Sequence, residues 1–87
     1  MEDNLKDRID AAIEDFSANY FKPEELYVRK YITIAYMKGV NVRINVEKWF
    51  LVNREVGPVG VDWRAIFCFT DEAEAQEAVA LGIAPLW

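Results

Sequence analysis

The stretch Leu26-Tyr27-Val28-Arg29-Lys30-Tyr31-Ile32-Thr33-Ile34-Ala35-Tyr36 decides the fold. It is rich in β-branched and aromatic residues, which fit a pleated, half-buried surface, and Val28, Ile32, Ile34 and Tyr36 share one parity. This is the signature of a strand. Met37-Lys38-Gly39 follows as a tight connection, with glycine where a left-handed residue is needed. Val40, Val42, Ile44 and Val46 then alternate with Asn41, Arg43 and Asn45, so the two runs read as a hairpin with one wet face. At Trp49-Phe50-Leu51-Val52 the alternation is lost. Four large apolar residues in a row suit a strand covered on both sides, or one bulged near Glu47-Lys48. A helix ending at Gly57-Pro58 competes over Val46 to Val56, but valine, tryptophan and phenylalanine outnumber strong helix formers there. Asn53 to Gly60 reads as the next turn, and a break within Val40 to Arg54 would create a fourth strand.

Outward from this hairpin, helices are expected at both ends. Leu5, Ile9, Ala12, Ile13, Phe16 and Tyr20 recur at helical spacing behind a cap at Asp3 or Asn4, and Lys22-Pro23 closes that segment. Val61 to Phe69 gives the last strand. Thr70 is then placed as the cap of a helix from Asp71 to Leu81, stopped by Gly82 with Pro85 beyond. The tail Ile83-Ala84-Pro85-Leu86-Trp87 is too apolar for free coil and is expected to fold back over the core or to meet a partner. The expectation is a two-layer α+β domain over residues 1–87, with an N-terminal helix, a three- to four-stranded antiparallel sheet and a C-terminal helix, both helices on one face. Cys68 should be buried, with Phe67 and Phe69 on the opposite side and Trp63 sharing their face.

The 87 residues are 53% apolar and 29% charged, the balance of one globular domain. There is no histidine, one cysteine (Cys68), one serine (Ser17) and two threonines (Thr33, Thr70). Triads that need an imidazole base, zinc sites built from several Cys or His ligands, and intrachain disulfides are therefore excluded within one chain. Gly57-Pro58-Val59-Gly60 lacks the lysine and helix of a phosphate loop, and Glu24-Glu25 and Asp71-Glu72 sit where helix starts favour acids. These residues point to no enzyme, no metal site and no cofactor. No stretch approaches a membrane span and the start Met1-Glu2-Asp3-Asn4 is acidic, so an intracellular, cytoplasmic location is expected.

Charge is segregated. Residues 1–25 carry −5, residues 26–70 carry +4 and residues 71–87 carry −4, within a total of −5. Helix, three strands and helix is also the element order of double-stranded RNA-binding domains. That likeness stops at topology, because Asp71, Glu72, Glu74 and Glu77 stand where that family places phosphate-gripping lysines.

Two constellations remain as candidate partner-binding surfaces. On a helical wheel Asp3, Asp7, Asp10 and Glu14 fall in one row opposite the apolar stripe, suited either to solvation or to a basic partner. On the first hairpin, Tyr27, Arg29, Tyr31 and Thr33 are expected beside Asn41, Arg43 and Asn45 as an open face of basic and aromatic residues. The sequence thus favours a small acidic binding protein of the inhibitor, immunity or phage-antagonist type. It would occupy a basic surface of a larger protein, such as a nucleic-acid enzyme. Two alternatives stand beside it: a nucleic-acid-binding module using Arg29, Tyr31 and Arg43, disfavoured by the overall acidity, and a self-associating subunit, for instance a homodimer through surplus apolars Trp49, Leu51 and Trp87.

Overall fold

A computed structural model of the chain describes residues 4–16, 23–39 and 41–87. The elements run α1 (Leu5–Phe16), a 3-10 turn (Pro23–Glu25), β1 (Leu26–Tyr36), β2 (Arg43–Gly57), β3 (Gly60–Cys68) and α2 (Glu72–Ala80). The three strands form one antiparallel sheet in the order β1-β2-β3. This is the expected α+β arrangement, with β1 on the expected residues.

Both helices lie on one face. Register pairs Leu26 with Asn53, Val28 with Leu51 and Lys30 with Trp49, so these side chains share a side of the sheet. Leu26, Val28, Trp49 and Leu51 there meet Leu5 and Ile9 of α1 and Ala75 and Ala78 of α2 in one core. Each fully buried aliphatic side chain in it, such as Ile9, Val28 or Leu51, contributes roughly 1.5–3 kcal/mol. Alanine at both inward positions of α2 leaves little between helix axis and sheet.

The helix ends are set by side chains. Asn4 Oδ1 accepts the Asp7 N–H at 2.8 Å and caps α1. Asp71, rather than Thr70, caps α2 by accepting the Glu74 N–H at 2.8 Å. Thr70 sits one residue earlier, and its N–H and hydroxyl both donate to the Glu74 carboxylate. Asp is the stronger cap because its ionised oxygen meets the positive end of the helix. At the other end Gly82 N–H donates to Val79 O and Ile83 N–H to Ala78 O, a double closure that needs the positive φ of 75° at Gly82.

Three sequence expectations are corrected. First, β2 is unbroken for 15 residues, so there is no fourth strand within it, and Asn53 to Gly57 continue the strand instead of turning. The turn is only Pro58-Val59, closed by the Gly57–Gly60 pair. Second, Cys68 is exposed. It pairs with Phe50 on the face that no helix covers, while Phe67 and Phe69 do point the other way, into or against the core. Third, Trp49 and Leu51 are buried core residues and are not surplus surface apolars.

The tail folds back as expected. Val28 N–H donates to Pro85 O and Trp87 N–H donates to Val28 O, both at 2.9 Å, forming a one-residue parallel bridge between Val28 and Leu86 on the outer edge of β1. Among the described residues no helix is long and apolar enough to cross a membrane.

Candidate functional site

The register between β2 and β3 shifts at Leu51/Val52. Leu51 pairs with Phe67 but Val52 pairs with Ala65, so Ile66 is an extra residue in β3. A bulge of this kind moves every residue beyond it to the other side of the sheet. Trp63 consequently pairs with Arg54 and stands on the face opposite the helices, a correction to the expectation that it shares a side with Phe67 and Phe69.

That face collects aromatic rings from three strands and the tail. The extended tail alternates sides, so Leu86 follows Val28 toward the helices and Trp87 turns to the open side. The Trp63 and Trp87 rings meet edge to face at 4.9 Å between centroids, Tyr27 meets them at 5.9 and 5.3 Å, and Tyr31 meets Phe50 at 5.5 Å. Such pairs contribute about 0.5–1.5 kcal/mol each beyond their burial. Beneath the rings Val52 is only 1% exposed although neither α1 nor α2 lies on this side. The aromatic layer serves as its roof.

Two arginines are set into this layer. The Arg29 guanidinium carbon lies 4.3 Å from the Trp63 centroid, 5.2 Å from Tyr31 and 5.8 Å from Trp87, and that of Arg54 lies 5.6 Å from Trp87. Stacking of a cation on an indole is worth roughly 0.5–2 kcal/mol, more as water is excluded. Arg29 Nη1 and Arg54 Nε are buried with no acceptor among the described residues. With Lys48, these make three cations on the face, and its described strand residues include no carboxylate. A protein of net charge −5 thus presents one cationic, aromatic surface.

The residues anticipated for this surface are only partly brought together. Arg29 and Tyr31 lie in it with Tyr27. Thr33 shares the face, its hydroxyl donating to Val46 O at 3.2 Å. Arg43 and Asn45 do not: the register pairs them with Tyr36 and Ile34, on the helix side of the far end of the hairpin, and Asn41 precedes β2 as an exposed residue. An antiparallel register joining Tyr36 to Arg43 matches even with odd numbers, so a face drawn from odd residues of both strands splits in two. Phe50, Arg54, Trp63 and Trp87 were missed. The apolar tail was the available signal for Trp87, while the bulge concealed Trp63.

Three members of the acidic row lie among the described residues. Asp3 lies outside the described residues. Asp7, Asp10 and Glu14 are exposed along α1, and Asp10 is 3.5 Å from Lys6 Nζ. Arg8 turns away from the row: its Nη2 donates to Glu74 Oε2 at 2.7 Å, tying α1 to α2, and its guanidinium carbon is 5.7 Å from the Phe67 centroid. Burial pushes the Glu74 carboxyl up, but the hydrogen bonds from Arg8 and Thr70 and the Arg8 charge outweigh it and leave the group below its usual range.

Among the described residues no group of three or more Cys, Asp or Glu is placed to hold a metal ion. No protein family, no curated protein and no solved structure matches the chain.

Proposed function

We propose that the protein is a non-enzymatic binding module that acts by occupying a surface of a larger protein, in the manner of small inhibitors, immunity proteins and phage-encoded antagonists, with the open sheet face as its principal contact. The observation that carries this reading is the composition of that face: five rings (Tyr27, Tyr31, Phe50, Trp63, Trp87) and two stacked arginines held on three strands and the tail. Tryptophan, tyrosine and arginine dominate binding hot spots because they bury much area with few rotors to freeze. Buried guanidinium nitrogens without acceptors suit a partner that supplies carboxylates or carbonyls. Asp7, Asp10 and Glu14 on α1 form a separate acidic contact for a basic region of the partner.

The test is affinity capture from native cells with the wild type and two charge reversals. Arg29→Glu should abolish capture of a partner that Asp7→Lys with Asp10→Lys merely weakens, with the helix effect fading as salt rises. If only the helix reversal abolishes capture, the sheet face is not the contact.

A second reading is favoured by one feature, the pairing of three cations with stacking rings on a face without acids. Single-stranded nucleic acid is gripped this way. Titrating tryptophan fluorescence with an oligothymidylate at two salt concentrations separates the readings: salt-sensitive quenching supports nucleic acid, and no change supports a protein partner.

A further inference from the structure

Among the described residues, the outer edge of β1 is protected at one point and bare beyond it. Val28 spends both its backbone N–H and its C=O on the tail, so even-numbered residues of β1 direct their backbone groups away from β2. Past the tail the next outward residues are Lys30, Ile32, Ile34 and Tyr36, and no described backbone group pairs with them on that side. Their side chains add to the exposure: Ile32 is 63% exposed, Ile34 51% and Tyr36 67%. The opposite edge of the sheet is defended by the bulge at Ile66 and by Asp62 and Arg64. The bare β1 edge carries one charge, Lys30, and that is engaged by Glu47 at 3.6 Å.

We propose that this edge is a dimerisation surface whose occupant is a second copy of the same chain, β1 pairing antiparallel with β1 about a two-fold axis at Thr33. In this register Ile32 faces Ile34 of the second copy and Lys30 faces Tyr36 of the second copy. The four outward residues of each chain then exchange all their backbone bonds, since every opposed pair is of the outward, hydrogen-bonded type. The edge is self-complementary in bonding, and charge does not oppose the pairing. Lys30 never meets its own copy, because the two lie at opposite ends of a contact of about 24 Å. Its length also fits the gap, as the second copy's hairpin turns away after Tyr36, where the first chain's tail occupies the edge. The product is a continuous six-stranded sheet with both helix layers on one side and both aromatic faces on the other.

A contact of this size belongs to the small class of interfaces, so association is read between about 10 μM and 1 mM. Sedimentation of the wild type should show a monomer–dimer equilibrium in that range; a monomer throughout overturns the proposal. Ile32→Lys with Ile34→Lys sets like charges opposite one another and should abolish the dimer. Ile32→Glu with Ile34→Lys sets opposite charges there and should keep it. Loss in both variants, or in neither, overturns the register. Should a variant fail to fold by circular dichroism, cross-linking decides. In a Cys68→Ala background, Thr33→Cys should oxidise to a covalent dimer at the non-hydrogen-bonded pair on the axis, where side chains approach most closely, and Ala35→Cys should not. Equal cross-linking of the two, or none, overturns it.

Discussion

The guanidinium of Arg29 on β1 and the indole of Trp63 on β3 are stacked at 4.3 Å, although a whole strand separates their backbones. The contact is made above Val52, whose small side chain in the intervening strand lets the two long ones meet. Arg29→Ala and Trp63→Ala should therefore be coupled, with an interaction energy of about 0.5–2 kcal/mol in a double-mutant cycle. Urea denaturation of the four proteins measures it, and additive effects would show the stack to be energetically idle.

Trp87→Ala should expose Trp63 and lower stability by about 1–3 kcal/mol, since it removes edge-to-face contacts with two rings and the cover over Arg54. Emission from Trp63 should shift to the red in proportion to the water admitted, while that from Trp49, buried on the helix side, should not. Unchanged emission and stability would place the tail elsewhere.

Stability should fall as acid is added, in a way that depends on Glu74. Its carboxyl is held below the usual value in the folded protein, so its contribution is complete above the unfolded value of about 4.5 and is lost as pH falls through the folded one. Glu74→Gln should be less stable than the wild type at neutral pH and should lose less between pH 5 and 3. Parallel acid profiles for the two proteins would contradict this.

Cys68 should react with a thiol reagent in the native state at a rate close to that of the unfolded chain, being exposed on the open face next to Phe50. A slowing of a hundredfold or more would mean that this face is covered.

Asn53 is fully buried on the helix side between Leu26 and Arg64, and neither polar atom of its amide has a partner among the described residues. Replacing it with leucine, of similar shape, should raise stability by about 1–2 kcal/mol by removing two unsatisfied polar atoms. Thermal melts compare the variants directly, and a lower melting temperature would point to a polar contact for Asn53.

Much of the fold was legible because period and composition act locally. The limits of β1 follow from a run of β-branched and aromatic residues, and the stop of α2 from Gly82, while its start lies one residue later than a cap at Thr70 implied. What the sequence hid was register. Ile66 is an ordinary apolar residue among apolar neighbours, and nothing in its surroundings marks it as the extra one that redirects Trp63. The same blindness placed Arg43 beside Arg29, since parity within one strand says nothing about its phase against the next. Cys68 was misjudged because apolar neighbours on alternating sides do not disclose which side is covered.

The bridge that joins Leu86 to Val28 also bears on how this surface comes into being. Arg29, Trp63 and Trp87 are far apart along the chain, so no hairpin peptide excised from it carries the cluster, and none can be grafted onto another scaffold as one segment. Hairpins close in microseconds, whereas contacts between distant segments wait for the loop entropy to be overcome. The cluster is therefore a late product of folding. Fraying of Pro85 to Trp87 alone, a far smaller event than global unfolding, takes Trp87 out of the cluster and leaves the strand-borne rings in place, so the lifetime of the complete surface is set by the tail and not by the core.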